Sequence, residues 1–182
     1  MKKITAFLLA ITMILFLCSC GTEERQYSTY NPNIYYDMSQ NEVDKILSEK
    51  YDTINFGDKI TYSISTDQDF MKIDPDIAVA PTVSYEFEDD KLKAISQQYK
   101  FSSGMPSSIL DLYNTHLAIA LGVDEVEIKQ ETSELDDGTV WNYISAAIYE
   151  LENERVYLMS TNDFHGNVNN IYIDFSSNKR SF

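Results

Sequence analysis

The only two cysteines of the chain, Cys18 and Cys20, lie at the end of a short apolar run. Two lysines precede this run, which covers residues 4–17 and contains only two threonines among its apolar side chains. A mature membrane-spanning helix needs roughly 18 to 20 apolar residues, so the run is short for that role. A positive start, a short apolar stretch and small residues after it are the three parts of a secretory signal. The sequence therefore predicts a leader over residues 1–19 that is removed from the mature protein.

The segment Leu17-Cys18-Ser19-Cys20 resembles the lipobox of bacterial lipoproteins that signal peptidase II processes. Leucine stands at −3 and the small Ser19 at −1, whereas modification of Cys18 would put the bulky Leu17 at −1. The resemblance implies cleavage before Cys20 and a lipid anchor, with acyl chains such as palmitate, on that cysteine. It also implies attachment to the extracytoplasmic face of the cell membrane. The alternative is an ordinary secreted protein that is cut near Cys20.

Loss of the leader would leave 163 of the 182 residues, with no free thiol and no disulfide. Such a domain must be held by its hydrophobic interior, as one core or two small fused ones. The formal charge of −15 becomes about −17 when the two leader lysines are removed. Anionic headgroups and nucleic acid phosphates repel a chain of this charge. We therefore expect membrane attachment through the lipid on Cys20 and no nucleic acid partner.

A helix is predicted near the start of each half of the remaining chain. Ser39 and Glu42 form a capping box, and the apolar spacing that follows predicts a helix from Ser39 to about Lys50. A second helix is predicted from about Ser107 to Leu121, before a glycine that is typical of helix ends. The predicted divisions are the signal peptide (1–19), the lipidated cysteine with a polar tether (20–36), a first αβ unit (37–104) and a second αβ unit (105–182).

Alternation of apolar and polar residues after each helix predicts half-buried strands of antiparallel sheets. The expected fold class is α+β, with two helix-plus-antiparallel-meander units whose helices pack on an antiparallel sheet or sheets. This order resembles the tandem αβ units of β-lactamase-inhibitor-protein-like folds and the small helix-plus-sheet lipoproteins of outer-membrane assembly. The resemblance implies that each helix covers one sheet face. The other face, or a concavity between the halves, would then be free to meet a partner.

Catalytic signatures are mostly absent. The sequence contains no G-x-S-x-G, P-loop, H-E-x-x-H or G-x-G-x-x-G motif, and no cofactor is expected. Of the two histidines, His116 falls on the second predicted helix, where a surface or packing role is expected. His165 shares a polar loop with Asp163, and the pair could begin a metal or acid–base site. Alternatively, this loop uses its Asn, Asp and Gly residues only for turn geometry.

Acidic residues occur in short clusters, as at Glu86 to Asp90 and Asp124 to Glu127. Carboxylates supply oxygen ligands for calcium, but none of these clusters fits the spacing of an EF-hand loop. Each is explained more simply as a solvated face, so the clusters alone do not predict a cation site.

Aromatic side chains are concentrated on the longest predicted strand of the second half. Trp141, Tyr143 and Tyr149 fall on one face of this strand and predict an aromatic contact surface, since tyrosine and tryptophan are enriched at binding sites. Val140, Ile144, Ala146 and Ile148 make the opposite face more apolar, and we expect that face to be the core. The alternative is that both faces are covered.

Three classes of function follow from these observations. The first is a non-enzymatic, membrane-anchored module that binds a protein or small ligand through a sheet face or the seam between its halves. The second is an envelope hydrolase or metal-dependent enzyme that uses Asp163, His165 and nearby carboxylates. The third is an inhibitor whose acidic surface blocks a basic enzyme.

Overall fold

The computed structural model describes residues 25–73, 79–134, 138 and 140–178. The predicted leader, Cys20 and the first residues of the predicted tether lie outside these ranges. The described elements, in chain order, are α1 (Gln40–Leu47), β1 (Ile54–Phe56), β2 (Lys59–Ser63), a 3-10 turn (Thr66–Gln68), β3 (Thr82–Glu88), β4 (Lys91–Met105), α2 (Ser108–Leu121), β5 (Lys129–Glu134), β6 (Val140–Glu150), β7 (Glu154–Asn162) and β8 (Val168–Ser177).

These eight strands form one antiparallel sheet in the order β1-β2-β3-β4-β8-β7-β6-β5. The prediction of an α+β fold with two helix-plus-meander units is therefore wrong, because the described chain is mainly β and is built on a single sheet. The cause lies at the centre, where β4 pairs with β8 from Ala94↔Ser176 to Lys100↔Asn170. This pairing satisfies the backbone groups of both strands and removes the edge that each meander would otherwise expose.

The two helices begin and end close to where their sequence signals predict. In α1, Ser39 accepts a hydrogen bond from the Glu42 backbone N–H, and the Glu42 carboxylate accepts one from the Ser39 backbone N–H at 3.0 Å. This reciprocal arrangement is the predicted capping box, although the helix ends at Leu47 rather than near Lys50. At the end of α2, Gly122 has a φ of 69°, a left-handed conformation that glycine adopts without steric cost.

One face of the sheet is buried and carries the core. Residues directly opposite each other on paired strands point to the same side, and the register gives two long inward rows. These rows run Ile60, Tyr85, Ile95, Phe175, Val156, Tyr149 and Tyr62, Val83, Gln97, Ile173, Leu158, Ala147. Every one of these residues is buried. Both helices, together with segments 26–38 and 64–73, contribute the apolar side chains that cover this face.

A buried glutamate fastens the segment before α1 to the sheet. Glu154, at the start of β7, accepts hydrogen bonds from the Ser28 hydroxyl and the Thr29 backbone N–H, each at 3.2 Å, and from the Tyr36 hydroxyl. Burial, and then the nearby Glu154 carboxylate, raise the pKa of Tyr36, so its hydroxyl remains a donor. Gln26 is also buried and accepts from Ser177 at 2.7 Å. Packing against the domain therefore begins by Gln26, inside the segment that was predicted as a tether.

Strand β6 faces the opposite way from its predicted orientation. Ala147 and Tyr149 point inward and are buried, and the Tyr149 hydroxyl donates to the backbone oxygen of Asn114 on α2 at 3.1 Å. Ile148 points outward and is 43% exposed. The expectation that Val140, Ile144, Ala146 and Ile148 form the core is therefore wrong for Ile144, Ala146 and Ile148. The Val140 side chain lies outside the part that the structure describes. The contact between Tyr149 and α2 determines which side of β6 is covered. No local sequence pattern specifies this contact.

Candidate functional site

The outward side of the sheet, called the open face here, is the candidate site. Its members are defined by the same register that defines the inward rows. They are Ile54, Phe56, Lys59, Thr61, Ser63, Thr82, Ser84, Glu86, Ala94, Ser96, Gln98, Lys100, Lys129, Glu131, Ile144, Ala146, Ile148, Glu150, Arg155, Tyr157, Met159, Thr161, Asn170, Tyr172, Asp174 and Ser176. None of these residues is buried, whereas all members of the two inward rows are. Within the described residues, the open face is thus left uncovered.

The centre of the open face is a polar depression of about 300 Å³. Ser84, Ser96 and Asp174 occupy adjacent strands in one row across it. Burial raises the pKa of Asp174, and the negative charge of Glu86 adds to this effect, while a hydrogen bond from Ser96 opposes it. The centre therefore offers hydroxyl and carboxyl groups that can donate and accept hydrogen bonds.

An ion pair lies at the edge of this depression. Lys59 on β2 and Glu86 on β3 are directly opposite each other, and their charged atoms are 2.6 Å apart. Both side chains are substantially exposed, so this pair contributes little to stability. Its effect is to neutralise charge next to Asp174.

Apolar groups flank the polar centre on both sides. On the edge strand β1, Ile54 and Phe56 are 67% and 80% exposed. On the far side, Ile148, Tyr157 and Met159 lie on β6 and β7, where the register makes Tyr157 and Ile148 direct neighbours. A polar centre between exposed apolar groups can make both directional and hydrophobic contacts with another molecule.

The open face is electrically balanced although the chain is strongly acidic. Four of its members are basic (Lys59, Lys100, Lys129 and Arg155) and four are acidic (Glu86, Glu131, Glu150 and Asp174). The whole chain carries a formal charge of −15. The excess negative charge therefore lies elsewhere, and contact through the open face would not depend on charge attraction.

The three aromatic residues predicted to form a binding surface do not lie together on an exposed face. Tyr149 is 2% exposed and belongs to the core. The Tyr143 hydroxyl donates to Glu131 at 3.3 Å, next to a register shift between β5 and β6. Trp141 lies in β6, and its side chain is outside the part that the structure describes.

The loop with Asp163 and His165 holds its own turn together. One Asp163 carboxylate oxygen accepts from the backbone N–H groups of His165 at 2.8 Å and Asn167 at 2.9 Å, and the other accepts from the Asn167 side chain at 3.1 Å. The Asn167 bonds, from its side chain and then its backbone, lower the pKa of Asp163. Across the described residues, no three His, Cys, Asp or Glu side chains come together as metal ligands. This loop therefore uses its carboxylate for turn geometry.

His116 has a packing role. It lies half-buried on α2, and its Nδ1 is 3.3 Å from the backbone oxygen of Met71. This contact joins the helix to segment 64–73 over the inward face.

Sequence reasoning missed the members of the open face on β1, β7 and β8. Tyr157 and Met159 alternate with buried Val156 and Leu158, so both faces of β7 carry apolar or aromatic groups. Two-sided apolar strands are a signal of a second contact surface, but only the register shows that Tyr157, Ile148 and Asp174 lie side by side.

Known proteins give no independent indication of what this site does. No protein-family model, no curated protein and no solved structure matches the chain. Neither described helix is long and apolar enough to cross a membrane.

Proposed function

We propose that the protein is a lipid-anchored, extracytoplasmic binding module that docks on another protein through the open face. The observation that carries this proposal is the exposed pair Ile54 and Phe56 on one side of a polar centre, with Ile148 and Tyr157 on the other side. Neither group is covered by any described element. Exposed apolar groups around a polar centre, on a face with balanced charge, are typical of protein contact surfaces.

The dimensions of the open face fit a protein partner. Six strand spacings separate β1 from β6, which corresponds to roughly 29 Å at about 4.8 Å per spacing. A standard interface buries about 800 Å² on each partner, an area of similar width. Because the exposed apolar groups lie on both sides of the depression, a partner with a broad, electrically neutral surface that reaches both sides fits better than a small molecule held only in the depression.

The proposed anchor would hold this face close to the membrane. Five residues lie between Cys20 and Gln26, where packing against the domain begins, and the six residue steps of a fully extended chain span at most about 20 Å. Gln26 contacts Ser177 at the end of β8. The proposal therefore places the β8 C-terminal end of the sheet towards the membrane and the loop with Asp163 away from it.

Site-specific photocrosslinking in intact cells tests the docking surface. A benzophenone amino acid at Tyr157 on the open face should give one discrete crosslinked protein, and Phe56→Asp with Ile148→Asp should abolish it. Ile119 on α2 is 71% exposed but lies off the sheet, so crosslinker placed there and Ile119→Asp serve as the matched controls. Crosslinking from Ile119 that equals that from Tyr157, or a product that survives the double substitution, would refute docking through the open face.

Salt dependence separates this proposal from inhibition of a basic enzyme by the acidic surface. Because the open face carries equal numbers of basic and acidic residues, the crosslinking yield in isolated membranes should change little between about 0.15 and about 0.5 M NaCl. A steep loss of yield with added salt would instead favour a contact governed by the acidic remainder of the surface.

The anchor has its own test. Cys20→Ser removes the sulfur that would carry the lipid, so the variant should keep its leader or leave the membrane fraction, and mass spectrometry should find no acylated N-terminal peptide. Ser19→Ala keeps a small residue at −1 and should behave as the wild type. An unmodified Cys20 in the wild-type protein would refute lipid anchoring without affecting the docking proposal.

A further inference from the structure

Two ion pairs lie in the same row of the open face, one on each side of its centre. The register gives this row, in order from β1 to β6, as Phe56, Lys59, Glu86, Ala94, Ser176, Arg155 and Glu150. The charged atoms of Lys59 and Glu86 are 2.6 Å apart, and those of Arg155 and Glu150 are 2.7 Å apart. The charges therefore run plus, minus, plus, minus, and every sign is inverted when the row is read in reverse.

A row with this property is complementary to a second copy of itself. Most homodimers have a two-fold axis, which brings the same surface of both copies together. We consider two open faces stacked about an axis that is parallel to the strands and lies between β4 and β8. Lys59 of one copy then lies over Glu150 of the other, and Glu86 lies over Arg155. Each contact occurs twice, so four pairs of opposite charge form across the interface.

The charges also fix the position of the axis. An axis on β4 would place Lys59 over Arg155. An axis on β8 would place Glu86 over Glu150. Both alternatives bring like charges together, which is costly at an interface. Only the position between the two strands at the centre of the sheet pairs every charge of the row with its opposite.

The next row of the open face is compatible with the same axis. Ser96 on β4 and Asp174 on β8 are directly opposite each other, so the Ser96 hydroxyl of each copy faces the Asp174 carboxyl group of the other and can donate to it. The exposed Ile54 comes within one strand spacing, about 4.8 Å, of Ile148 of the other copy. Stacked sheets keep their strand directions within about 30° of each other, so long side chains can still connect the two rows where they diverge.

The size and net charge of the open face allow self-association. The whole chain has a formal charge of −15, and surfaces that carry this excess repel one another, whereas the open face is balanced. Its four rows of paired residues cover roughly 20 Å along the strands and roughly 29 Å across them. Each copy would bury about 600 Å², which is at the lower end for standard interfaces.

The axis is also compatible with the proposed lipid anchors. Rotation about an axis parallel to the strands leaves the strand direction unchanged, so the Gln26 ends of both copies lie on the same side of the dimer. Attachment to one membrane would raise the effective concentration of the copies and would assist a dimer with an interface of this size. We infer, on the basis of the docking role proposed for the open face, that its partner is the open face of a second copy of this chain.

Exchange of the charges within each ion pair tests this inference. The first double variant is Lys59→Glu with Glu86→Lys, and the second is Arg155→Glu with Glu150→Arg. Each variant keeps an ion pair within the chain and leaves the net charge unaltered. A dimer of either variant with itself would bring like charges together at all four contacts. A mixed dimer of the first variant with the second would again pair opposite charges at all four.

Photocrosslinking between two tagged copies in the same cells measures the dimer. The copies carry different C-terminal tags, and one has the benzophenone amino acid at Tyr157, which lies over Ser84 of the other copy. The wild-type pair should give a product with both tags. Its yield should fall at least about tenfold when both copies carry the same double variant, because like charges across an interface are strongly unfavourable. The mixed pair should restore the wild-type yield, which would also show that both variants fold.

The outcomes distinguish this inference from the docking proposal. A crosslinked product that contains a different protein and only one tag overturns the dimer but leaves docking through the open face intact. The dimer is also overturned if the double variants do not lower the yield, or if the mixed pair does not restore it. Crosslinking from Tyr157 that is no stronger than crosslinking from Ile119 refutes both the dimer and the docking surface.

Discussion

A buried carboxylate on the segment between β2 and β3 provides a sharp test of the packing. Asp69 is 2% exposed and accepts hydrogen bonds from the Tyr99 hydroxyl at 2.7 Å, the Gln97 amide at 3.3 Å and the Met71 backbone N–H at 3.4 Å. Its second oxygen has no hydrogen-bond partner among the described residues, and neither has the side-chain oxygen of Gln97. Burial raises the pKa of Asp69, and the bond from Tyr99 opposes this most strongly.

The substitution Asp69→Asn should stabilise the protein at neutral pH. Asparagine keeps one oxygen for the three donors and replaces the unpartnered oxygen with a donor. The bonds from Tyr99 and Gln97 each weaken by about 1 kcal/mol when their acceptor loses its charge. The desolvation penalty of a buried ion is several kcal/mol, and it disappears. We therefore expect a net gain of about 1–2 kcal/mol in the free energy of unfolding, or about 2–8 °C in Tm for a chain of this size.

The sign of the pH dependence follows from the raised pKa. A carboxyl group whose pKa is higher in the folded than in the unfolded state contributes fully to stability below its unfolded pKa of about 3.9. That contribution is lost as the pH rises through the folded pKa. The advantage of Asp69→Asn should accordingly be near zero at about pH 4 and grow towards about pH 8.

Urea unfolding followed by circular dichroism, at several pH values between about 4 and about 8, measures this difference. Asp69→Ala removes the acceptor and leaves three buried donors, so it should cost about 3 kcal/mol at about pH 4. This cost should decrease as the pH rises, because the wild-type protein then loses the contribution of Asp69. Asp52→Asn, at an exposed position, is the control for a change of net charge and should leave unfolding unaltered. If Asp69→Asn is destabilising by an amount that does not vary with pH, the carboxylate is ionised and well solvated, and the reasoning fails.

Two more substitutions test other parts of the packing. Glu154→Gln leaves one oxygen for the Ser28 and Tyr36 hydroxyls but turns an amide towards the Thr29 N–H. The substitution should therefore lower the free energy of unfolding by about 2 kcal/mol and speed hydrogen exchange at residues 26–36. Unchanged exchange there would contradict the conclusion that Glu154 holds this segment against the sheet. Gly104→Ala would place its Cβ 2.7 Å from the Asn167 Cβ. It should therefore lower the free energy of unfolding by about 1–3 kcal/mol and shift the amide resonances of residues 163–167. Gly57→Ala, whose Cβ meets no atom within 4 Å, should leave those resonances in place.

Local signals predict the elements of this fold well because their causes are local. The Ser39–Glu42 capping box lies within four residues of chain, and Gly122 ends α2 through its own backbone conformation. Strand alternation is likewise a property of neighbouring residues. The single sheet is different, because it depends on β4 pairing with β8, and Ala94 meets Ser176 across more than 80 residues of sequence. No alternation pattern specifies which strand pairs with which, so the helix-then-meander order alone was compatible with two separate units.

The same limit explains why the predicted binding surface and the open face differ. An alternating strand has two faces, and its pattern indicates which residues go together but not which set is covered. In β6 the more apolar set was expected to be the core, yet the buried set contains Ala147 and Tyr149, because Tyr149 reaches Asn114 on α2. The apolar residues Ile144, Ala146 and Ile148 are consequently left on the outward side.

This reversal supports a contact role for the open face. An apolar strand face that is excluded from the core has no stabilising role in the isolated domain, and exposing it favours association. The outward residues of β6 are next to Tyr157 and Met159, and the row that contains Tyr157 continues through Asp174 and Ser96 to Ser84. An apolar region that borders a charge-balanced polar centre can discriminate between partners, because a partner must match both the apolar contact and the hydrogen bonds. The substitutions at Phe56 and Ile148 should therefore abolish docking with little loss of stability, since neither side chain contributes to the core.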